Sequence, residues 1–222
     1  MKRLSLTLLF LCTFSLLSFS QNHMLVDQKP GLTYFDGYGK MITSLSQIPE
    51  NIRDSAAIIL NKFLGDLSPK AKFNYGQILD LDAYHKFKDS ANINPTIPKY
   101  DLVFILKDLS IGIKSYPIEL RLNESGKALK LNWPRTGYTN KLKFIPLDKV
   151  RNTILDHAKK LNFNLSNYEI SFDYDYEAQK FYWTFLFPIQ KEQNFSHYNA
   201  IRVNWVNLDD FGVSEIRRVT VY

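Results

Sequence analysis

Two stretches of the chain have apolar residues at helical spacing, and each is followed by segments in which apolar and polar residues alternate. The first stretch covers residues 49–64 and the second covers residues 146–161. A proline opens each of them, where its missing N–H group is not needed, and Gly65 is suited to end the first. The spacing predicts two helices, whose core-facing residues are Ile52, Ala56, Ile59 and Phe63 in the first and Leu147, Val150, Ile154, Ala158 and Leu161 in the second.

Short alternating runs predict four strands after each helix. The strands cover residues 73–81, 100–106, 116–122 and 127–131 in the first set, and 168–176, 181–189, 198–206 and 213–221 in the second. A turn at residues 123–126, which ends in Gly126, precedes the last strand of the first set. A turn at residues 207–212, which ends in Gly212, holds the same place in the second. Residues 84–99, with two asparagines and two prolines in their second half, are predicted to be a loop.

The two halves therefore share one order of elements. This order predicts an α+β fold built from two helix-on-antiparallel-sheet units, related by an internal duplication. We divide the chain into an irregular segment at residues 21–45, a first unit at 46–133, a linker at 134–145 and a second unit at 146–222.

Residues 1–20 have the three parts of a secretory signal peptide. Lys2 and Arg3 precede an apolar run, and the run ends in small residues suited to cleavage. Serines and threonines interrupt the run, whereas a membrane-spanning helix needs about 20 predominantly apolar residues. Cys12 follows Leu11, which is too large for a lipid-attachment site, so this cysteine is expected to leave with the signal. The sequence thus predicts a secreted or periplasmic protein of the bacterial envelope, with neither a membrane span nor a cysteine after cleavage.

Composition and charge exclude few classes of function. Aromatic residues make up 14% of the chain, which favours sheets because rings suit half-buried pleated surfaces. The net charge is +6, and loss of Lys2 and Arg3 with the signal leaves +4. So mild an excess, in an exported chain, does not indicate a nucleic-acid partner. The oligomeric state stays open at this level.

The sequence contains none of the patterns that mark catalytic, metal or cofactor sites. The acids within residues 173–177 alternate with tyrosines, as on the solvated face of a strand, and they lack the glycine of a calcium loop. His23, His85, His157 and His197 include no i, i+4 pair that could bind zinc on a helix. No G-x-S-x-G nucleophile elbow is present. We therefore expect no catalytic residue, no metal and no cofactor, with a carboxylate pair assembled by folding as the remaining enzymatic alternative.

The second half of the chain resembles the PepSY family, which is found in exported and membrane-associated bacterial proteins. The resemblance rests on a helix at residues 155–161 (LDHAKKL), an aromatic strand at 182–185 (YWTF) and a strand–turn–strand close at 203–213, which contains VNWVN and DFGV. The first half is similar through ELRLN at 119–123 and SGKA at 125–128. The resemblance implies a PepSY/cystatin-like fold and a non-enzymatic binding or peptidase-inhibiting module, with no catalytic residue.

One basic and aromatic stretch, at the end of the first unit, is a candidate binding surface. Cations and rings that alternate along a chain can hold polyanions or glycans. The alternative is a solvated linker in which the tryptophan covers the seam between the two halves. The residues concerned are Lys130, Trp133, Arg135, Tyr138 and Lys141.

Three hypotheses for the function remain at this stage. The leading one is an exported, non-enzymatic module that binds a protein or peptide partner in the envelope, such as a peptidase. The alternative is a carrier of a small apolar ligand or lipid, which would need an enclosed apolar pocket under the helices. The third is an enzyme, which would need a pocket that gathers titratable groups with shifted pKa values.

Overall fold

The computed structural model describes residues 26–27, 38–87, 97–134, 144–192 and 195–219. The fold is α+β, as predicted. Its elements are β1 (Val26–Asp27), β2 (Gly39–Ile42), α1 (Glu50–Leu64), β3 (Ala71–Leu79), α2 (Leu81–Phe87), β4 (Tyr100–Asp108), β5 (Ile113–Leu122), β6 (Ala128–Leu131), α3 (Leu147–Lys160), β7 (Glu169–Asp175), β8 (Lys180–Lys191), β9 (Phe195–Asn204) and β10 (Asn207–Val219). In these ranges no helix is both long and apolar enough to cross a membrane.

The strands form two separate sheets, one in each half of the chain. The first sheet has the order β1-β5-β4-β3-β2, and β6 pairs with β5 beside β1. Its strands are antiparallel except for β1, which runs parallel to β5. The second sheet is an antiparallel meander with the order β10-β9-β8-β7. Both halves thus contain a helix followed by four strands, in agreement with the predicted order of elements.

Helix α1 is confirmed, although its buried stripe is rotated from the predicted one. The deeply buried residues are Ile52, Ala56, Leu60 and Leu64, whereas Ile59 and Phe63 are only partly buried. The helix ends at Gly65, which has a φ of 54° and thus a conformation that glycine adopts at little cost. The later turns of α1 therefore face the core through Leu60 and Leu64.

Helix α3 is confirmed with four of its five predicted core residues. Leu147, Val150, Ile154 and Ala158 are buried, but Leu161 is 47% exposed. The helix ends at Lys160, and Asn162 then adopts a positive φ of 59°. The turn carries Leu161 away from the buried stripe, so the prediction for this residue was wrong.

The beginning of the predicted loop at residues 84–99 is helical. Helix α2 runs to Phe87, and the Asp80 side chain caps it by accepting a hydrogen bond from the Ala83 N–H group at 3.0 Å. Residues 88–96, which include the asparagines and one proline of the predicted loop, lie outside the described residues. The loop prediction was therefore wrong for residues 84–87, because Asp80, which precedes the predicted loop, caps a helix that continues into it.

The two predicted glycine turns differ from each other. Gly126 is in a turn with a φ of 80°, and its N–H group donates to the Asn123 carbonyl oxygen at 3.0 Å. Gly212, in contrast, lies within β10, where it pairs with Arg202 on β9. The chain between β9 and β10 reverses at residues 205–206, and residues 208–210 lie in the irregular pairing that follows. The predicted turn at residues 207–212 was therefore wrong.

One continuous hydrophobic core joins the two sheets. Its cluster contains buried residues of α1 and the first sheet together with buried residues of α3 and the second sheet. All three tryptophans, Trp133, Trp183 and Trp205, are completely buried in it. The two halves have separate sheets but are packed as a single unit.

Candidate functional site

The structure places Lys130 and Trp133, two of the five predicted binding residues, at the seam between the sheets. The Trp133 indole is completely buried, and its Nε1–H group donates to the Phe63 carbonyl oxygen at 3.0 Å. Its ring lies 4.8 Å from Phe181 and 5.7 Å from Trp205, both of the second half. Because this ring is inside the core, a ligand could reach it only if the core opened.

Lys130 links the first sheet to the second through its charged end. Its Nζ atom lies 3.5 Å from a Glu119 carboxylate oxygen and 5.0 Å from the centre of the Tyr176 ring. A cation over an aromatic face is attracted by the electrons of the ring. Arg135, Tyr138 and Lys141 lie outside the described residues, so the proposed basic and aromatic surface stays a prediction.

A row of charged side chains crosses β4, β5 and β6 on the first sheet. Asp101 is buried and lies 3.3 Å from the Arg121 guanidinium, while Glu119 faces Lys130. Burial raises the pKa of the Asp101 carboxyl above its ordinary value of 3.8, and the nearby Arg121 partly opposes this rise. Each acid of the row has a basic partner, so the row has the form of a structural ion-pair network.

Two aspartates of β7 accept hydrogen bonds from neighbouring side chains. Asp173 accepts a hydrogen bond from the Ser171 hydroxyl, and Asp175 accepts one from the Arg202 guanidinium at 3.0 Å. The backbone N–H of Ala178, with that guanidinium, holds the pKa of Asp175 below its ordinary value. Within the part of the chain that the structure describes, no three His, Cys, Asp or Glu side chains gather where they could hold a metal ion.

A hollow on the first sheet opens to the surface. It has a volume of about 470 Å³ and is lined by Lys70, Lys72, Phe73, Asn74, Ile105 and Lys107. The hollow is open to solvent and three lysines line it, whereas a carrier of an apolar ligand needs an enclosed apolar cavity. The hollow therefore does not favour the carrier hypothesis.

Strand β10 forms one edge of the second sheet along 13 residues. Among the described strands only β9 pairs with it. Ordinary strands have about 5–6 residues, so this edge is unusually long. Nearly every residue of β10 is exposed, including three apolar ones: Phe211 (40%), Val213 (49%) and Val219 (70%).

Residues 211–214 of this edge have few of the features that keep sheet edges from pairing. Proteins protect such edges with short strands, prolines, bulges or charges. In β10 the irregular pairing is confined to residues 207–211, and the charges of the regular part begin at Glu215. Residues 211–214, Phe-Gly-Val-Ser, carry neither a charge nor a proline. We call residues 211–219 the β10 edge.

Contacts with the rest of the sheet hold the β10 edge in place. At its start, Asp210 accepts a hydrogen bond from the Asn204 amide at 2.8 Å, and this bond is the main reason that the pKa of Asp210 is lowered. The Phe211 ring lies 4.7 Å from the ring of His157 on α3. Near the other end, Arg218 donates to a Glu169 carboxylate oxygen at 3.1 Å. The edge is thus built into the sheet at both ends, with its outer side open.

The β10 edge was missed by the sequence reasoning, although a signal for it was present. The last strand of an antiparallel meander has one neighbour within the meander, so its other side is an edge unless another element covers it. The predicted strand at residues 213–221 was such a strand. The strand is longer than predicted because Asn207, Asp209 and Asp210, which are typical turn residues, belong to β10.

Comparison with known proteins reveals no relative of this chain. No protein-family model matches it, and no curated protein or solved structure is significantly similar to it. The resemblance to the PepSY family therefore stays a prediction.

Proposed function

We propose that this protein is a non-enzymatic binding module that takes up an extended segment of a partner protein as an additional strand along β10. The observation that carries the proposal is the long, exposed β10 edge, with Phe211 and Val213 on its uncharged part.

The chemistry of a sheet edge determines the class of partner. Backbone N–H and C=O groups along an open edge pair best with the backbone of another extended chain. The main-chain hydrogen bonds give affinity, and contacts with alternate side chains give specificity. An extended protein segment satisfies both requirements, whereas a compact small molecule satisfies neither.

The side chains of the β10 edge indicate which segment fits. Phe211 and Val213 pair with the buried Val203 and Ile201 of β9, so they lie on the face of the sheet that packs against α3. An added strand with apolar residues at alternate positions on that face would extend this apolar surface. A protein partner in the envelope agrees with the leading hypothesis, and the peptidase-binding role implied by the PepSY resemblance is one form of it.

The test uses peptides selected from a random display library on the mature chain, residues 21–222. We expect extended, alternately apolar peptides whose binding protects β10 amides from hydrogen exchange. Val213→Lys places a charge on the edge and should weaken binding about tenfold or more, because charged side chains disfavour strand addition. Ile58→Lys, at a 66% exposed position on α1, is the matched control and should bind like the wild type.

Two results would overturn the proposal. In one, the selected peptides bind Val213→Lys as tightly as the wild type. In the other, the exchange protection maps to a different surface of the protein. Circular dichroism spectra of both variants check that a loss of binding is not a loss of folding.

A further inference from the structure

We infer that the strand best matched to the β10 edge is β10 of a second copy of this chain, paired antiparallel about a two-fold axis at Ile216. The inference rests on the proposed function, because it names the partner of the same edge. It adds a register, which fixes which residues face each other.

The face that packs against α3 is self-complementary in this register. An antiparallel pair centred on residue 216 places residue 213 opposite residue 219, and residue 215 opposite residue 217. Val213 thus meets Val219 of the partner subunit, and Glu215 meets Arg217 of the partner subunit. The two-fold axis repeats each contact, giving two valine pairs and two ion pairs.

The groups that would form these pairs are available. Val213 and Val219 are 49% and 70% exposed. The Glu215 side chain is 63% exposed, and His197 Nε2 lies 2.9 Å from one of its carboxylate oxygens. Arg217 forms no ion pair with any residue that the structure describes. Dimer formation would therefore cover exposed valines and give Arg217 a carboxylate partner.

The opposite face has no conflict in the same register. Ile216 meets Ile216 of the partner subunit, and Ser214 meets Arg218 of the partner subunit. Ile216 packs against Leu186, Tyr198 and Ala200, so the new contact would extend an existing apolar cluster. No pair of like charges is created on this face.

The two neighbouring registers place like charges opposite each other, so the charges favour the register centred on Ile216. With the axis at residue 215, Glu215 would face Glu215 of the partner subunit. With the axis at residue 217, Arg217 would face Arg217 of the partner subunit. Like charges directly opposite each other destabilise a strand pair. Of these three registers, only the one centred on Ile216 brings opposite charges together, and it would join two four-stranded sheets into one.

Charge reversal tests the ion pairs. We expect sedimentation equilibrium of the mature chain to show a reversible dimer, weakened about tenfold or more by Glu215→Arg or Arg217→Glu, because each reversal places two like-charged pairs in the interface. The double variant Glu215→Arg/Arg217→Glu should restore the dimer. A double variant as weak as the singles would overturn the register, as would single variants as strong as the wild type.

Cross-linking tests the register without relying on charge. The only cysteine of the chain, Cys12, lies within the predicted signal peptide, so an introduced cysteine would be the sole thiol of the mature protein. Ile216→Cys should form dimers efficiently with a short bis-maleimide reagent. Ser214→Cys is the control, because four residues of strand, about 14 Å, would separate the two thiols in this register. Efficient linking through position 214 and not 216 would contradict the inference.

The same variants separate this inference from the proposed function. A wild-type chain that stays monomeric at millimolar concentration, yet binds selected peptides in a way that Val213→Lys abolishes, overturns the dimer and leaves the proposed function standing. A dimer that Val213→Lys does not disrupt overturns the assignment to β10. A chain that neither dimerises nor binds peptides along β10 overturns both.

Discussion

The hairpins that close the two sheets come from similar sequence patterns but differ in structure. The first sheet ends with β6, which has only four residues and follows the glycine turn at Gly126. The second sheet ends with β10, which has 13 residues and follows a turn at residues 205–206. One closing strand is short and leads directly to the buried Trp133, whereas the other is long and exposed.

This difference follows from what each hairpin packs against. Beyond β6 the chain enters the seam, where Trp133 contacts rings of the second half. Beside β10 there is no further described strand, so its edge faces solvent. A repeated order of elements thus gives two different sheets: both supply part of the common core, and the second also has a long open edge.

The largest effect on the unfolding free energy is expected from removal of the Trp133 ring at the seam between the sheets. Trp133→Ala deletes a completely buried ring and the hydrogen bond to the Phe63 carbonyl oxygen. Truncation of a buried tryptophan costs about 3–5 kcal/mol of unfolding free energy. Urea unfolding followed by circular dichroism measures the loss, and a change below about 1 kcal/mol would show that the seam contributes little.

Trp133→Phe is the matched control for this substitution. It keeps an aromatic ring in the seam but loses the indole N–H group, which leaves the Phe63 carbonyl oxygen without its donor. The expected cost is about 1–3 kcal/mol, smaller than for alanine. Equal losses in the two variants would mean that the hydrogen bond, and not the packing of the ring, holds the seam.

Local patterns were sufficient to predict the helices and most strands. The stripe of Leu147, Val150, Ile154 and Ala158 is buried as predicted, because periodic apolar residues must face a core wherever the helix packs. In β5 the predicted alternation is also present, with Ile118 buried and Glu119 only partly so. Such features depend on neighbours along the chain.

Features that depend on distant contacts could not be predicted in the same way. The chain turns at Trp205 because the ring of this residue is anchored in the core, where it stacks 3.9 Å from Phe144. Asn207, Asp209 and Asp210, which follow this turn, are therefore part of strand β10. The same applies to the candidate site, since the openness of β10 depends on which other elements lie beside it.

The second prediction concerns the glycine turn of the first sheet. Gly126 has a φ of 80°, and a Cβ atom there would lie 2.5 Å from Ser55 Oγ and 2.9 Å from Ser55 Cβ on α1. Gly126→Ala should therefore lower the unfolding free energy by about 1–3 kcal/mol, through backbone strain and the displaced serine. A neutral result in urea unfolding would contradict the close approach of this turn to α1.

The third prediction uses pH to compare one carboxylate from each sheet. Folding raises the pKa of Asp101 by burial, so this residue lowers stability as pH rises from 3.8 through its folded pKa. The hydrogen bonds of Asp175 lower its pKa, so the stability that it contributes is present above 3.8 and is lost as pH falls through its folded pKa.

Urea unfolding between pH 2 and 6 separates these two contributions. Asp101→Asn should remove a decrease in unfolding free energy with rising pH. Asp175→Asn should remove an increase in unfolding free energy with rising pH. The effect of Asp175→Asn should be about 0.2–1 kcal/mol, since the pair with Arg202 is partly exposed. If both variants changed the pH profile in the same direction, the environments assigned to the two acids would be wrong.

The smallest effect is expected at the glycine that resembled Gly126 in the sequence. Gly212 lies within β10, and a Cβ atom built there meets no other atom within 4 Å. Its backbone is not in the left-handed region, so alanine can adopt it without strain. Because alanine has fewer unfolded conformations than glycine, Gly212→Ala should stabilise the protein by about 0.5 kcal/mol. A loss comparable to that of Gly126→Ala would mean that residue 212 is in a strained turn after all, and the exposed β10 edge would then be shorter than the proposed strand addition requires.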